Sequence, residues 1–255
     1  MLLLIDAGNT RIKWALADTS SAPGAWHAAG AVAHAGVAQL APAWRAALQG
    51  KSIRRALLSN VAGAALGARL EQALPATLAP GAVRRFASQA QLAGVRNAYR
   101  DPFQLGCDRF AAAIGAHVLA PGQAVIVATC GTATTIDALS ADGVFLGGMI
   151  LPGLGLMASS LARDTAQLPH IGQLEQDLRL PEGFADNTDA AILSGCLAAQ
   201  AGAIERAFAA HGATLCLLSG GAAPFIAPGL AVPCRLVDNI VLIGLQAAAG
   251  SEGGS

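Results

Sequence analysis

The sequence predicts an α/β chain built from two related lobes, on three observations. Short apolar runs ending in glycine turns alternate with longer stretches of helical spacing. The segment LLIDAGNTRIKWAL, Leu3 to Leu16, is echoed by IVATCGTATTIDAL, Ile126 to Leu139. Each is an apolar strand, two residues, a glycine, a hydroxyl or amide residue and a returning strand, one near the start of each half. Two ordinary β-hairpins would give the same pattern by chance, so the echo alone leaves that alternative open. Finally, the 255 residues are 54% hydrophobic and only 13% charged, enough for one large domain or two modest lobes and too apolar for disorder.

The elements follow in order. Leu2 to Ile5 reads as a buried strand, Ala7-Gly8-Asn9-Thr10 as its turn and Arg11 to Ala17 as the returning strand. Val61 to Leu74 has helical spacing and stops at Pro75; the chain turns at Asp101-Pro102, and Cys107 to Leu119 is helical up to Pro121. Ala124 to Ala128, the turn Thr129 to Thr132 and Thr134 to Leu139 form the second hairpin, and Asp142-Gly143 turns the chain into Val144 to Leu146. Leu154 to Ala166 and Thr188 to His211 read as helices, with Thr188 as N-cap and Asp189 in the first turn of the latter. Leu215 to Leu218 is a strand ending in Ser219-Gly220-Gly221, Asn239 to Ala249 a closing helix and Ser251 to Ser255 a frayed tail. The lobes are expected at residues 1–115 and 116–255.

Composition excludes several function classes. Net charge is zero, and the densest basic spots, Arg54-Arg55 and Arg84-Arg85, are too short for a nucleic-acid surface. The five cysteines share no CxxC spacing, which favours reduced, packed thiols in a cytoplasm over disulfides or a zinc site. MLLLID lacks a basic leader and meets an aspartate at once, and no apolar run is long enough to span a membrane. The histidines at 27, 34, 117, 170 and 211 have no ligand spacing and receive no catalytic role.

The first hairpin has the chemistry of a phosphate cradle. Gly8 lets backbone approach a phosphate, Asn9 and Thr10 add an amide and a hydroxyl, and Lys13 brings a cation. Asp6, at the strand end, can hold Mg²⁺ through its water shell. The common nucleotide motifs are absent: Gly50-Lys51-Ser52 has Arg45 where a P-loop needs glycine, and the Gly153-Leu154-Gly155 run lacks its third glycine.

Four motifs then occur in order: Asp6-x-Gly8-Asn9-Thr10, Gly106-Cys107-Asp108-Arg109, Gly131-Thr132-Ala133-x-Thr135 and Gly147-Gly148-x-Ile150-x-Pro152-Gly153. Together they resemble type III pantothenate kinase, of the acetate-and-sugar-kinase, heat-shock ATPase and actin superfamily. The resemblance implies duplicated ribonuclease-H-like (actin-like ATPase) lobes with a central nucleotide cleft. It also implies ATP-dependent phosphorylation of the primary hydroxyl of pantothenate, the first step toward coenzyme A. It places ATP on Asp6, Ala7, Gly8, Asn9, Thr10, Arg11, Ile12 and Lys13, with Thr132 from the second hairpin and Gly220 and Gly221 beside the adenosine. Pantothenate falls to Tyr99, Gly106, Cys107, Asp108, Arg109 and Thr188, with Asp108 as the proton acceptor and a homodimer as the assembly. Locally, Asp108-Arg109 also reads as a helix cap with a surface arginine, Tyr99 as a half-buried core aromatic and Thr188 as a cap.

The chain departs from the family at one place. Thr129 stands where the second hairpin usually carries an aspartate that binds a monovalent cation, so a K⁺ or NH₄⁺ site has a neutral oxygen there and no charge. Asp137 survives on the returning strand as a carboxylate for the metal side. The competing readings are a sugar or acetate kinase of the same superfamily, and a weak or inactive accessory protein on the same fold.

Overall fold

The computed structural model describes residues 1–18, 21–75, 78–164 and 183–251, the side chains of 162–164 excepted. The elements are β1 (Leu2–Ala7), β2 (Arg11–Ala17), β3 (Ala28–Ala33), α1 (Val37–Leu48), β4 (Arg55–Asn60), α2 (Ala64–Ala73), β5 (Val83–Arg85), β6 (Gln91–Leu92), β7 (Val95–Asn97) and α3 (Cys107–Leu119). There follow β8 (Val125–Cys130), β9 (Ala133–Leu139), β10 (Val144–Pro152), α4 (Leu154–Asp164), α5 (Thr188–His211), β11 (Leu215–Ser219), α6 (Ala223–Ile226), β12 (Cys234–Leu236) and α7 (Ile240–Ser251). They fall into two compact units: Met1–Gly122 with Gly143–Leu146 and Asn239–Ser255, and Gln123–Asp142 with Gly147–Asp238.

In the first unit the strand order is β3-β2-β1-β4-β5, with β1 antiparallel to β2 and parallel to β4. β1 is central and covered on both faces, which is why it reads as an unbroken apolar run. Leu3, Ile5, Ile12, Leu16 and Leu58 share a core with Val37, Leu40 and Trp44 of α1 and Leu66 and Leu70 of α2. α7 packs against α3 and β1. That crossing is a backbone contact: a Cβ on Gly244 would overlap the Ala111 carbonyl oxygen, and one on Gly115 would lie 2.5 Å from the Ile240 carbonyl. Only glycine at both positions lets the helices meet so closely.

The second sheet repeats this order in five of its seven strands, β10-β9-β8-β11-β12, with β7 and β6 added beyond β10, and with β8 antiparallel to β9 and parallel to β11. β8 shows the same inside-outside pattern as β1, residue for residue. In each turn the glycine N–H is held by the returning strand, but at different spans. Gly8 donates to the Arg11 carbonyl three residues on, at 3.1 Å, and Gly131 to the Ala133 carbonyl two residues on, at 3.0 Å, so the second turn is one residue shorter. Chance hairpins have no reason to share strand order and burial, so the echo marks a duplicated ribonuclease-H-like fold. α5 runs across this sheet and contributes Leu193, Cys196 and Ile204 to a core with Ile126, Ile136 and Leu218.

Several boundaries differ from expectation. α2 begins at Ala64, not Val61, because Gly63 sits at φ 93° and the Asn60 side chain accepts from the Ala62 N–H, both incompatible with earlier helix. The N-cap of α5 is Asn187, not Thr188: the Asn187 Oδ1 accepts from the Ala190 N–H at 3.0 Å. β10 continues to Pro152, α4 is described to Asp164 with Ala166 outside the described residues, and Ser251 still belongs to α7 while 252–255 lie outside them. The elements β3 to β7, α2 excepted, together with α6 and β12, have no counterpart in the sequence reading.

Candidate active site

The first hairpin delivers Asp6 and Lys13 to directly paired positions of β1 and β2, with Ser59 of β4 at the paired position on the other side. Paired residues point to the same sheet face, so the three side chains rise together. The Asp6 Oδ1 is enclosed and has no hydrogen-bond partner among the described residues. Burial first, then the neighbouring Asp108 charge, raises the Asp6 pKa to about 7, and Lys13 draws it back only in part. Ala7 and Ile12 face the core, so only their main chain is available to a ligand. Asn9, Thr10 and Arg11 are exposed, and Lys13 is half-buried. A Cβ on Gly8 would meet only the Arg11 carbonyl, at 3.5 Å, so the protein itself leaves room there.

Asp108 lies in the first turn of α3, whose N-cap is Gly106. Its Oδ1 accepts from the Arg109 N–H at 2.8 Å, and burial raises its pKa against the lowering effect of that bond and of Arg109. A Cβ on Gly106 would stand 2.8 Å from the same Oδ1, so glycine there leaves the carboxylate its place. Arg109 is not at the surface: it is 7% exposed, donates to the Tyr99 hydroxyl at 2.9 Å and lies over the rings of Tyr99 and Phe145. Tyr99 is half-buried and packs on Phe145 at 5.6 Å. The Cys107 thiol turns toward β4, 3.4 Å from the Ser59 hydroxyl, and burial raises its pKa. Ser59 is the residue that sequence reasoning missed; its only signal is a polar residue closing the apolar run Ala56-Leu57-Leu58.

In the second unit Thr129 occupies the place that Asp6 holds in the first, paired with Thr135. Thr132 is exposed at the turn, and Asp137 is buried on β9. The turn is held from two sides. Gly153 donates its N–H to the Thr132 carbonyl at 2.9 Å, and the Ala222 N–H reaches the Cys130 carbonyl at 3.0 Å, just past Gly220. Gln200 of α5 donates to the Pro152 carbonyl at 2.7 Å, which steadies the Gly153 side. Gly221 is exposed, and Thr188 is exposed at the first residue of α5. The structure thus brings Asp6, Lys13, Tyr99 and 106–109 into the first unit, and Thr132, Gly220, Gly221 and Thr188 into the second. Among the described residues no group of three His, Cys, Asp or Glu could hold a metal.

The raised Asp6 pKa fixes a pH dependence. Between the ordinary 3.8 and about 7 the folded chain keeps a proton that the unfolded chain has lost. Stability without ligand therefore falls as pH rises through that window and levels off above it. Asp6→Asn removes the effect, so it should gain roughly 2 to 3 kcal/mol on the wild type between about pH 5 and about pH 8. Denaturant unfolding of both proteins at the two pH values measures this; a constant gap would show that Asp6 does not carry the proton.

A repeated sheet with a glycine hairpin at the same place in each copy defines the actin-like ATPase class of fold. The activator of the 2-hydroxyisocaproyl-CoA dehydratase from Clostridium difficile, with bound ADPNP, shares it at a TM-score of 0.56 and 10% identity, over 98% of this chain and 92% of that one. A family model for type III pantothenate kinase matches residues 2–210. The chain belongs to the type III pantothenate kinase family. Curated relatives of that description include proteins from Herminiimonas arsenicoxydans, 59% identical over 98% of this chain and 97% of the relative, and from Janthinobacterium sp. (strain Marseille), 60% identical over the same shares.

Proposed function

We propose that the chain phosphorylates the primary hydroxyl of pantothenate with ATP, giving 4'-phosphopantothenate, and that Asp108 takes the hydroxyl proton. The observation that carries the assignment to Asp108 is the place of its half-buried carboxylate in the first turn of α3, in room that Gly106 leaves for it and where burial raises its pKa, in a chain of this family. A carboxylate of ordinary pKa is a weak base for an alcohol, and raising it narrows that gap. Phosphoryl transfer otherwise asks for positioning and charge stabilisation. Arg109 is held by Tyr99, a geometry suited to orienting the acceptor, with Gly106 and Cys107 supplying main chain and Thr188 a further hydroxyl.

The donor falls to residues 6–13, Thr132, Gly220 and Gly221. The unpartnered Asp6 Oδ1 fits Mg²⁺, which usually takes one or two carboxylates and completes its shell with water and phosphate oxygens. Bound there, the ion would neutralise charge on the phosphates. Thr129 offers a K⁺ or NH₄⁺ ion no charge, and we assign no monovalent cation to it. A homodimer is supported by exposed Met149, Ile150, Leu156 and Leu161 on β10 and α4. We place the enzyme in the cytoplasm, where ATP is made and its free thiols stay reduced. Among the described residues no helix is long and apolar enough to cross a membrane.

ADP release coupled to NADH oxidation tests the proposal, with pantothenate, sugars and acetate as acceptors and K⁺ or NH₄⁺ varied. Turnover with pantothenate alone is expected. Turnover of another acceptor with none on pantothenate would overturn the substrate, and no turnover on any acceptor would favour an accessory protein.

A further inference from the structure

We infer that His34 is a positioning residue for the phosphate hairpin, latching the Gly8–Asn9 peptide so that the Asn9 N–H, and not the Gly8 carbonyl, meets the nucleotide phosphates. This rests on ATP being the phosphoryl donor, as proposed above. His34 opens the 3-10 turn His34–Gly36 that follows β3, and it is half-buried. Its Nε2 lies 2.8 Å from the Gly8 carbonyl oxygen. A carbonyl only accepts, so Nε2 carries the proton and donates it. The His34 carbonyl in turn accepts from the Arg69 guanidinium of α2 at 3.3 Å, which ties the turn to the helix.

The effect on the hairpin follows from peptide geometry. A trans peptide is planar, and its C=O and N–H point in opposite directions. Holding the Gly8 carbonyl toward His34 therefore turns the Asn9 N–H the other way, where it has no protein partner among the described residues. Gly8 lacks the Cβ that would resist rotation of this peptide. Its own N–H is already fixed on Arg11 at 3.1 Å, so the rotation left free is the one that His34 controls. Flipped, the peptide would aim a carbonyl dipole at an anion; latched, it offers a donor.

The test is Mg·ATP affinity by calorimetry without acceptor, on the full chain carrying His34→Ala, His34→Gln or His34→Asn, alongside the KM for pantothenate. Losing one hydrogen bond that orders a ligand-binding donor should weaken ATP about 5- to 10-fold in the Ala and Asn variants. Gln, whose side-chain N–H₂ reaches about as far as Nε2, should bind within about twofold of wild type, and pantothenate KM should stay within about twofold throughout. ATP affinity unchanged in His34→Ala, Gln as weak as Asn, or both substrates weakened in step would overturn the latch. If the Ala variant does not fold, the contrast between Gln and Asn decides alone. Wild-type protein that binds ATP without phosphorylating pantothenate would strike the acceptor assignment and leave this comparison intact; wild-type protein that does not bind ATP would overturn both.

Discussion

Asp108→Asn is expected to fold, to bind Mg·ATP with near-normal affinity and to lose about two to four orders of magnitude in turnover on pantothenate. Asparagine keeps the Oδ1 that accepts from the Arg109 N–H at 2.8 Å, so the first turn of α3 stays as it is. It has no basic oxygen to take the acceptor proton, which removes the proposed chemistry and little else. The same change withdraws a charge that raises Asp6, so the Asp6 titration should move toward acid in the variant. The acid limb of the wild-type rate profile should follow Asp108, moved up from the ordinary carboxylate range by burial, because Mg²⁺ bound at Asp6 would hold that carboxylate ionised during turnover. Steady-state turnover, nucleotide calorimetry and pH-dependent unfolding separate the effects. Near-normal turnover would take Asp108 out of the mechanism, whatever its titration.

What the sequence made legible has a physical cause in each case. The hairpins were readable because a central strand covered on both faces is continuously apolar and then breaks at a glycine turn, in β1 and again in β8. α3 was readable from Cys107 to Leu119 because Gly106 opens it and Pro121 closes the stretch beyond it. β3 and α1 were not, since AAGAVA alternates small residues with little contrast and α1 carries Pro42 inside it. β4 is as long as β1, but its apolar run is only Ala56-Leu57-Leu58 between polar ends, so it did not stand out, and Ser59 and the setting of Asp6 were lost with it. The match of strand orders and the return of α7 to α3 are relations between distant segments; Gly115 and Gly244 mark the latter only once the helices are seen to touch. Burial of Arg109 against the rings of Tyr99 and Phe145 was hidden for the same reason, because Phe145 is far from it in sequence.

Gly220→Ala and Gly221→Ala should differ sharply although the residues are adjacent. Gly220 has φ 96°, and a Cβ there would overlap the Cys130 carbonyl oxygen and lie 2.7 Å from the carbonyl carbon. Those are backbone atoms at the end of β8, so the variant must displace the second hairpin or abandon its own conformation. A left-handed alanine alone costs about 1 kcal/mol or more, and the overlap adds about 1 to 3 kcal/mol. The thermal midpoint should fall by roughly 4 to 10 °C, with nucleotide use impaired through Thr132 on the displaced turn. Around Gly221 a Cβ would meet no heavy atom within 4 Å, so the protein tolerates the methyl group. Its thermal midpoint should stay within about 2 °C of wild type. If Gly221 borders the adenosine as proposed, the methyl falls on the ligand instead, and the KM for ATP should rise about tenfold with pantothenate KM unchanged. An unaltered ATP KM in a stable Gly221→Ala protein would remove Gly221 from the nucleotide site, and a Gly220→Ala protein as stable as wild type would show that the turn yields where its packing says it should not.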